Sequence, residues 1–129
     1  MTGKDRSNVD ADMVNVKLPA AARHMACEYP DLWEAFERLG EAASRAGPLE
    51  PRTRRLIHLA LAIAADSEGA THSHVRRATA EGISSEELEH VATLAITTTG
   101  WSQAMKGLAW VRDITRAQSS AAVTESIGP

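Results

Sequence analysis

The sequence contains one cysteine in 129 residues and few aromatic side chains. The single thiol, Cys27, cannot form an intramolecular disulfide, and one chain cannot build a zinc site with several thiolate ligands from it. Aromatic residues make up only 4% of the sequence, so the core has to be built largely from Ala, Leu, Ile and Val. Runs of β-branched residues and hairpin dipeptides are also scarce. These absences favour an all-α protein, in which alanine packs helices closely.

Neither an excess of positive charge nor a long apolar segment is present. The net charge is −3, which does not match the basic surface of a nucleic-acid-binding protein. No apolar run approaches the roughly 20 residues that span a bilayer, and residues 1–12 are too polar for a signal peptide. We therefore expect no nucleic-acid partner, no membrane segment and a cytoplasmic location.

Apolar residues recur with helical spacing through most of the chain. Proline suits the first positions of helices at Pro19, Pro30 and Pro51, and Gly82 suits the residue that follows a helix. The sequence predicts a single-domain helical bundle of five or six helices over residues 16–117, between a flexible N-terminal arm (1–15) and a flexible C-terminal tail (118–129). The helices are predicted over 19–28, 30–46, 51–65, from the loop at 66–69 to Gly82, from the Ser84 cap to Thr97–Gly100, and over 101–117.

The helix from Pro51 is polar in its first turn and almost wholly apolar afterwards, which predicts a helix buried on all sides. Arg55 and His58 interrupt this pattern and share one face with Ala62 and Ala65. Two polar side chains followed by small methyl groups would leave room for a pocket. Alternatively, Arg55 extends to solvent and His58 bonds a carbonyl group.

His74 lies early in the next predicted helix, beside the apolar one. An imidazole there suits proton transfer, although a structural histidine fits the same pattern. From the preceding loop, Glu68 could fold back and raise the basicity of His74, or it could place negative charge near the helix N-terminus. His72 and His74 point about 200° apart on a helix, so they cannot chelate one metal, and other ligands such as Glu68 or His58 would be needed. We therefore predict no metal site.

Three motifs follow one another at characteristic spacing: L-E-P-x-T-R-x-L-I over residues 49–57, H-x-x-x-A-x-x-x-G from His74 to Gly82, and S-E-E-L over 85–88. In this order they resemble the carboxymuconolactone decarboxylase-like family, which includes the alkyl hydroperoxidase D-like proteins. The resemblance covers about residues 48–110. It implies an all-α bundle that assembles into homotrimers or homohexamers.

The chain departs from the peroxidase-type members of that family at their redox motif. Those proteins carry C-x-x-C-x-x-x-H and a glutamate on the preceding helix that relays protons. Here the two cysteine positions hold Ser67 and Ala70, the histidine is His74, and Arg55 stands at the glutamate position. Thiol–disulfide chemistry requires a thiolate, and Cys27 lies outside the motif without a resolving partner. We therefore expect no thiol peroxidase activity.

The decarboxylase branch of the family also lacks the cysteine pair and keeps the histidine. The resemblance implies action on a carboxylated unsaturated lactone, with His74 moving a proton and Arg55 holding the anionic substrate. The leading hypothesis is a cofactor-free, non-redox enzyme for a small organic acid or lactone. Its catalytic residues would be His74 and Glu68, and its substrate-binding residues Arg55, His58, Ser67 and Ala70. The alternatives are a degenerate non-catalytic oligomer that binds a small anion or a protein, and peroxide reduction through Cys27.

Overall fold

The structure is a computed structural model that describes residues 20–126, with side chains to residue 124. Within that range the chain forms seven helices and no strand, which confirms the all-α prediction. The predicted arm over residues 1–15 and the helix start at Pro19 lie outside the described residues. The helices are α1 (Ala20–Glu28), α2 (Pro30–Arg45), α3 (Pro51–Ala64), α4 (Glu68–Ala80), α5 (Ser85–Leu94), α6 (Ile96–Thr99) and α7 (Trp101–Ser126).

Contacts group the chain into two compact units, which divide between Pro48 and Leu49. In the first unit α1 packs against α2. α2 begins at Pro30 and is strongly amphipathic, as the sequence predicts. Its apolar stripe, however, is exposed in the single chain: Leu32, Phe36 and Leu39 all have more than half of their surface accessible.

The second unit has a core of aliphatic side chains contributed by four helices. α3, α4, α5 and α7 pack against one another, and α6 packs on α7. The fully buried side chains are mostly aliphatic and small, in line with the scarcity of aromatic residues. The core consists of Leu59, Ile63, Val75, Ala78, Ile83, Leu88, Ala92 and Val111.

α3 is buried on one side only, which contradicts the prediction of a helix buried all round. Leu59 and Ile63 are fully buried, whereas Ile57 and Leu61 are 40% and 61% exposed. α3 is as apolar as its sequence indicates, but the other helices of the single chain cover only part of its surface. Apolar residues on the other part therefore form an open surface.

Local signals define the ends of the helices around α4 and α5. Gly82 has a φ of +88°, and the N–H groups of Gly82 and Ile83 donate to Thr79 and Ala78 carbonyls at 3.1 and 3.0 Å. This pair of bonds ends α4 as predicted. Ser84 and Glu87 form the predicted reciprocal capping box at the start of α5.

α7 begins at Trp101 as predicted but differs from its prediction at the C-terminal end. It continues to Ser126 rather than stopping near residue 117, because the Ala-, Ser- and Thr-rich stretch that follows contains no glycine or proline before that point. Trp101, Ala104 and Val111 recur at the helical spacing that predicts one buried stripe, but Trp101 is 64% exposed, whereas Ala104 and Val111 are fully buried. Among residues 20–126, no helix combines the length and the apolar character that crossing a bilayer requires.

Candidate functional site

The arginines in the first turns of α3 do not act as one cluster, because each has a different partner. Arg52 pairs with Glu87 of the α5 capping box. Arg54 donates to a backbone carbonyl that precedes the helix. Arg55 instead reaches α4, and its side chain is only 18% exposed. Of the three, Arg55 is therefore the one that links α3 to the helix that carries His74.

Arg55 lies between Glu81 and His74. Its Nε donates to the Glu81 carboxylate at 3.1 and 3.2 Å, and its Nη2 donates to Oε1 at 2.8 Å. Its Nη1 contacts Nδ1 of His74 at 2.8 Å. The family resemblance implies that Arg55 holds the substrate on which His74 acts, so the two side chains are expected to lie close together. In the structure the two groups are hydrogen-bonded directly.

The Arg55 contact determines the tautomer of His74. A guanidinium group can only donate hydrogen bonds, so Nδ1 must be the acceptor, and the neutral ring carries its proton on Nε2. Burial is the main cause that lowers the pKa of His74 to about 4, together with the positive charges of Arg55, His58 and Arg77 and against the opposing effect of Glu81. His74 is therefore neutral near pH 7 in the protein without ligand.

Glu81 is a site residue that the sequence analysis missed. Its hydrogen bonds from Arg55 hold the pKa of its carboxyl group below the ordinary value. It follows His74 by seven residues, which is about two helical turns, so both side chains lie on one face of the helix. A carboxylate at a helix C-terminus is unfavourable next to the helix dipole unless a cation neutralises it. That unfavourable position was the signal that could have identified it.

His58 lies beside His74 on the α3 side of the site. The two imidazole rings are 5.2 Å apart between centroids and meet edge to face at 85°. His58 is itself exposed, so one edge of the site opens to solvent. This position is compatible with the substrate-binding role predicted for His58, and that role stays a prediction.

The structure does not bring Glu68 to His74. Glu68 is in the first turn of α4 and not in a loop before it. One turn along the helix it groups with His72, and Asp113 of α7 completes the group, with one ligand atom from each within 4.8 Å of the others. The carboxylate that acts to raise the pKa of His74 is Glu81, and its effect is smaller than the effects that lower this pKa.

Ser67 and Ala70, the residues at the two cysteine positions, lie at the start of α4. The Ser67 hydroxyl accepts a hydrogen bond from the Ala70 N–H at 3.3 Å and so caps the helix. Both residues are partly buried. Cys27 lies in α1, in the other unit, as an exposed free thiol.

Arg55, His74, Glu81 and His58 thus lie together, and they combine a guanidinium group that donates hydrogen bonds with a half-buried imidazole that has an ionisable proton. The model of the carboxymuconolactone decarboxylase family matches residues 30–113 of the chain. No curated protein and no solved structure matches the chain significantly.

Proposed function

The chain belongs to the carboxymuconolactone decarboxylase family, and from this premise we propose that it is a cofactor-free, non-redox enzyme. It would act on a small organic acid or lactone by proton transfer at His74. The observation that supports this most directly is the hydrogen bond from Arg55 to Nδ1 of a neutral, half-buried His74. The proposal keeps the cytoplasmic location expected from the sequence.

Arg55 is the proposed anchor for a substrate carboxylate. Glu81 holds the guanidinium through Nε and Nη2, so that Nη1 is the group directed at His74. A carboxylate is a stronger acceptor for Nη1 than an imidazole nitrogen, because the hydrogen bond joins two opposite charges. A bound substrate would therefore replace the hydrogen bond between Arg55 Nη1 and His74 Nδ1, and Nδ1 would become free.

Substrate binding would also change the charge state of His74. The substrate carboxylate offsets the positive charge of Arg55, one of the causes of the low pKa, so the pKa of His74 rises in the complex. His74 then takes up a proton on Nδ1. When the bond to the carboxylate carbon breaks, its electron pair passes into the conjugated lactone and carbon dioxide leaves. Nδ1 delivers its proton to the carbon that carried the carboxylate, and the neutral tautomer with the proton on Nε2 is restored.

The proposal can be tested with an unsaturated γ-lactone that carries a carboxylate. We expect binding at pH 7 to take up protons, measured as a dependence of the calorimetric heat on the ionisation enthalpy of the buffer. We expect carbon dioxide release to fall by about 10²–10⁴-fold in His74→Asn. Asparagine keeps an acceptor for Arg55 but cannot carry the proton.

Two controls make this experiment specific. His90→Gln removes an exposed histidine of α5 and should leave turnover unchanged. The saturated lactone carboxylate has no conjugated system to accept the electron pair, so it should bind without releasing carbon dioxide. Turnover of the unsaturated lactone by His74→Asn at the rate of the unchanged chain would rule out the proposed mechanism.

The alternative is a non-catalytic oligomer that binds a small anion or a protein. The three hydrogen bonds between Arg55 and Glu81 favour it, since they neutralise the charge that would attract a substrate. Binding of carboxylates with proton uptake but without carbon dioxide release from any unsaturated lactone would support this alternative.

Peroxide reduction through Cys27 is the third candidate, and we expect it to be absent. The thiol has no resolving partner, because residues 67 and 70 are serine and alanine. With tert-butyl hydroperoxide and dithiothreitol, consumption of peroxide should equal the rate without protein. Turnover well above that rate, lost in Cys27→Ser, would show that the expectation is wrong.

We further propose a homotrimer or homohexamer. Apolar residues of the chain remain exposed on both units, including Phe36 on α2 and Leu61 on α3. Such surfaces are typical of contacts between subunits. Light scattering at micromolar concentration should give three or six times the 13.9 kDa of one chain. Leu61→Lys should lower that mass while the helical content is kept, and a monomer mass for the unchanged chain would contradict the proposal.

A further inference from the structure

A second group of chemically reactive side chains lies between α4 and α7, apart from the His74 site. Glu68 and His72 are four residues apart on α4, so they share one face, and Asp113 faces them from α7. His72 Nε2 and Asp113 Oδ2 are 3.0 Å apart. His72 and His74 point to different sides of α4, so the two sites use different surfaces of the same helix.

The geometry points to a binding site for a divalent transition-metal cation, formed by Glu68, His72 and Asp113. Metal–ligand distances of 2.0–2.2 Å place neighbouring ligands about 3.0–3.5 Å apart, from octahedral to tetrahedral coordination. The distance of 3.0 Å between His72 Nε2 and Asp113 Oδ2 lies at the octahedral end of this range. The Glu68 carboxylate lies within 4.8 Å of both atoms, so rotation of one exposed side chain completes a three-ligand face.

The charge of the group supports the same assignment. Two carboxylates from different helices lie close together, and a doubly charged cation would neutralise both while a neutral imidazole supplies the nitrogen donor. In residues 20–126, neither Glu68 nor Asp113 forms an ion pair with a lysine or arginine. By contrast, Asp66 at the end of α3 pairs with Lys106 at 2.8 Å.

A bound ion would have solvent on its open side. The exposed fractions of the His72 and Asp113 side chains are 20% and 54%, so water can fill the remaining coordination positions. Oxygen and nitrogen donors in this combination suit Zn²⁺, Co²⁺ or Mn²⁺ better than a soft thiolate-seeking ion. Because the ligands come from α4 and α7, the ion would connect two helices of the core. The proposed site replaces the expectation, drawn from the sequence, that the chain has no metal site.

The test uses the full chain, without a histidine tag and after treatment with a chelator, titrated with Zn²⁺ in a calorimeter. We expect one Zn²⁺ per chain. The melting temperature should rise by about 5 °C when free Zn²⁺ is ten times the measured Kd. His72→Gln and Asp113→Asn should each weaken binding by at least about 10-fold. His90→Gln, which removes an exposed histidine on α5, should bind Zn²⁺ as the unchanged chain does.

Two results would overturn the assignment. The first is the absence of Zn²⁺ binding at 100-fold molar excess, which would mean that His72 and Asp113 only connect the helices by a hydrogen bond. The second is Zn²⁺ binding of unchanged affinity in both His72→Gln and Asp113→Asn. Because His74 takes no part in the group, His74→Asn should still bind Zn²⁺, so failure of the proposed enzyme activity would not affect this test.

Discussion

Replacing Gly107 with alanine is expected to lower the free energy of unfolding by about 1–3 kcal/mol. At Gly107 the backbone of α7 lies directly against the Ile63 side chain of α3. A Cβ atom there would lie 2.5 Å from Cγ2 of Ile63, and Ile63 is fully buried, so its side chain has no space to move into. Van der Waals contact between carbons needs about 3.5–4.0 Å, so α3 and α7 would have to separate. Urea denaturation at one fixed protein concentration measures the loss.

Gly69→Ala is the matched control for this substitution. Gly69 also lies in a helix, in the first turn of α4, but a Cβ atom there would meet nothing within 4 Å. Alanine in a helix is more favourable than glycine by up to about 1 kcal/mol. The two substitutions should therefore change stability in opposite directions. An increase in stability for Gly107→Ala would mean that the two helices are not packed as closely as the structure describes.

Most of the helices, and the helix ends at Gly82 and Ser84, could be predicted from the sequence because their signals are local. Gly82 follows its helix with a positive φ, and Ser84 and Glu87 are three residues apart, so each signal is contained in a few neighbouring residues. The position of Arg55 near His74 also followed from local information. An antiparallel return of α4 beside α3 brings the two residues to the same side.

The partners of these side chains could not be predicted in the same way. Glu68 was assigned to His74 because it was placed in a loop, whereas the helix begins at Glu68 and turns that residue towards His72 and Asp113. Asp113 is more than 40 positions away in the sequence, and only the packing of α7 on α4 brings it near. Glu81 was missed because its partner, Arg55, is likewise on another helix.

Burial was the least predictable property, as α3 shows. Hydrophobic spacing indicates which side of a helix is apolar, but it does not indicate which residues, if any, cover that side. Leu59 and Leu61 are both leucines in one apolar segment, and one is fully buried while the other is 61% exposed. The difference depends on the neighbouring helices of the chain. The proposed oligomer would supply the neighbours that Leu61 lacks.

The stability of the chain is expected to decrease as the pH falls from about 6.5 to 4, because of His74. Its pKa is about 4 in the folded chain against an ordinary value of 6.5, so in this range the unfolded chain binds a proton that the folded chain does not. Excess proton binding by the unfolded state lowers the free energy of unfolding as the pH decreases. The stability that depends on a neutral His74 is fully present above pH 6.5 and is lost below pH 4. The shift in pKa, reduced for the solvent screening of a half-buried group, corresponds to about 1–2 kcal/mol.

His74→Asn isolates this contribution, because asparagine does not titrate and keeps an acceptor for Arg55. The free energy of unfolding of the unchanged chain, minus that of His74→Asn, should decrease by about 1–2 kcal/mol as the pH falls from 6.5 to 4. Glu81 affects stability in a lower pH range, since its pKa lies below its ordinary value of 4.5 and its contribution is lost as the pH falls below that value.

Arg55→Gln should raise the pKa of His74, observed by NMR, by about 1–2, because it removes a neighbouring positive charge. A pKa of His74 that stayed near 4 in Arg55→Gln would show that burial and the other positive charges keep the ring neutral without Arg55. The proposed rise in pKa on binding a carboxylate would then lose its physical basis.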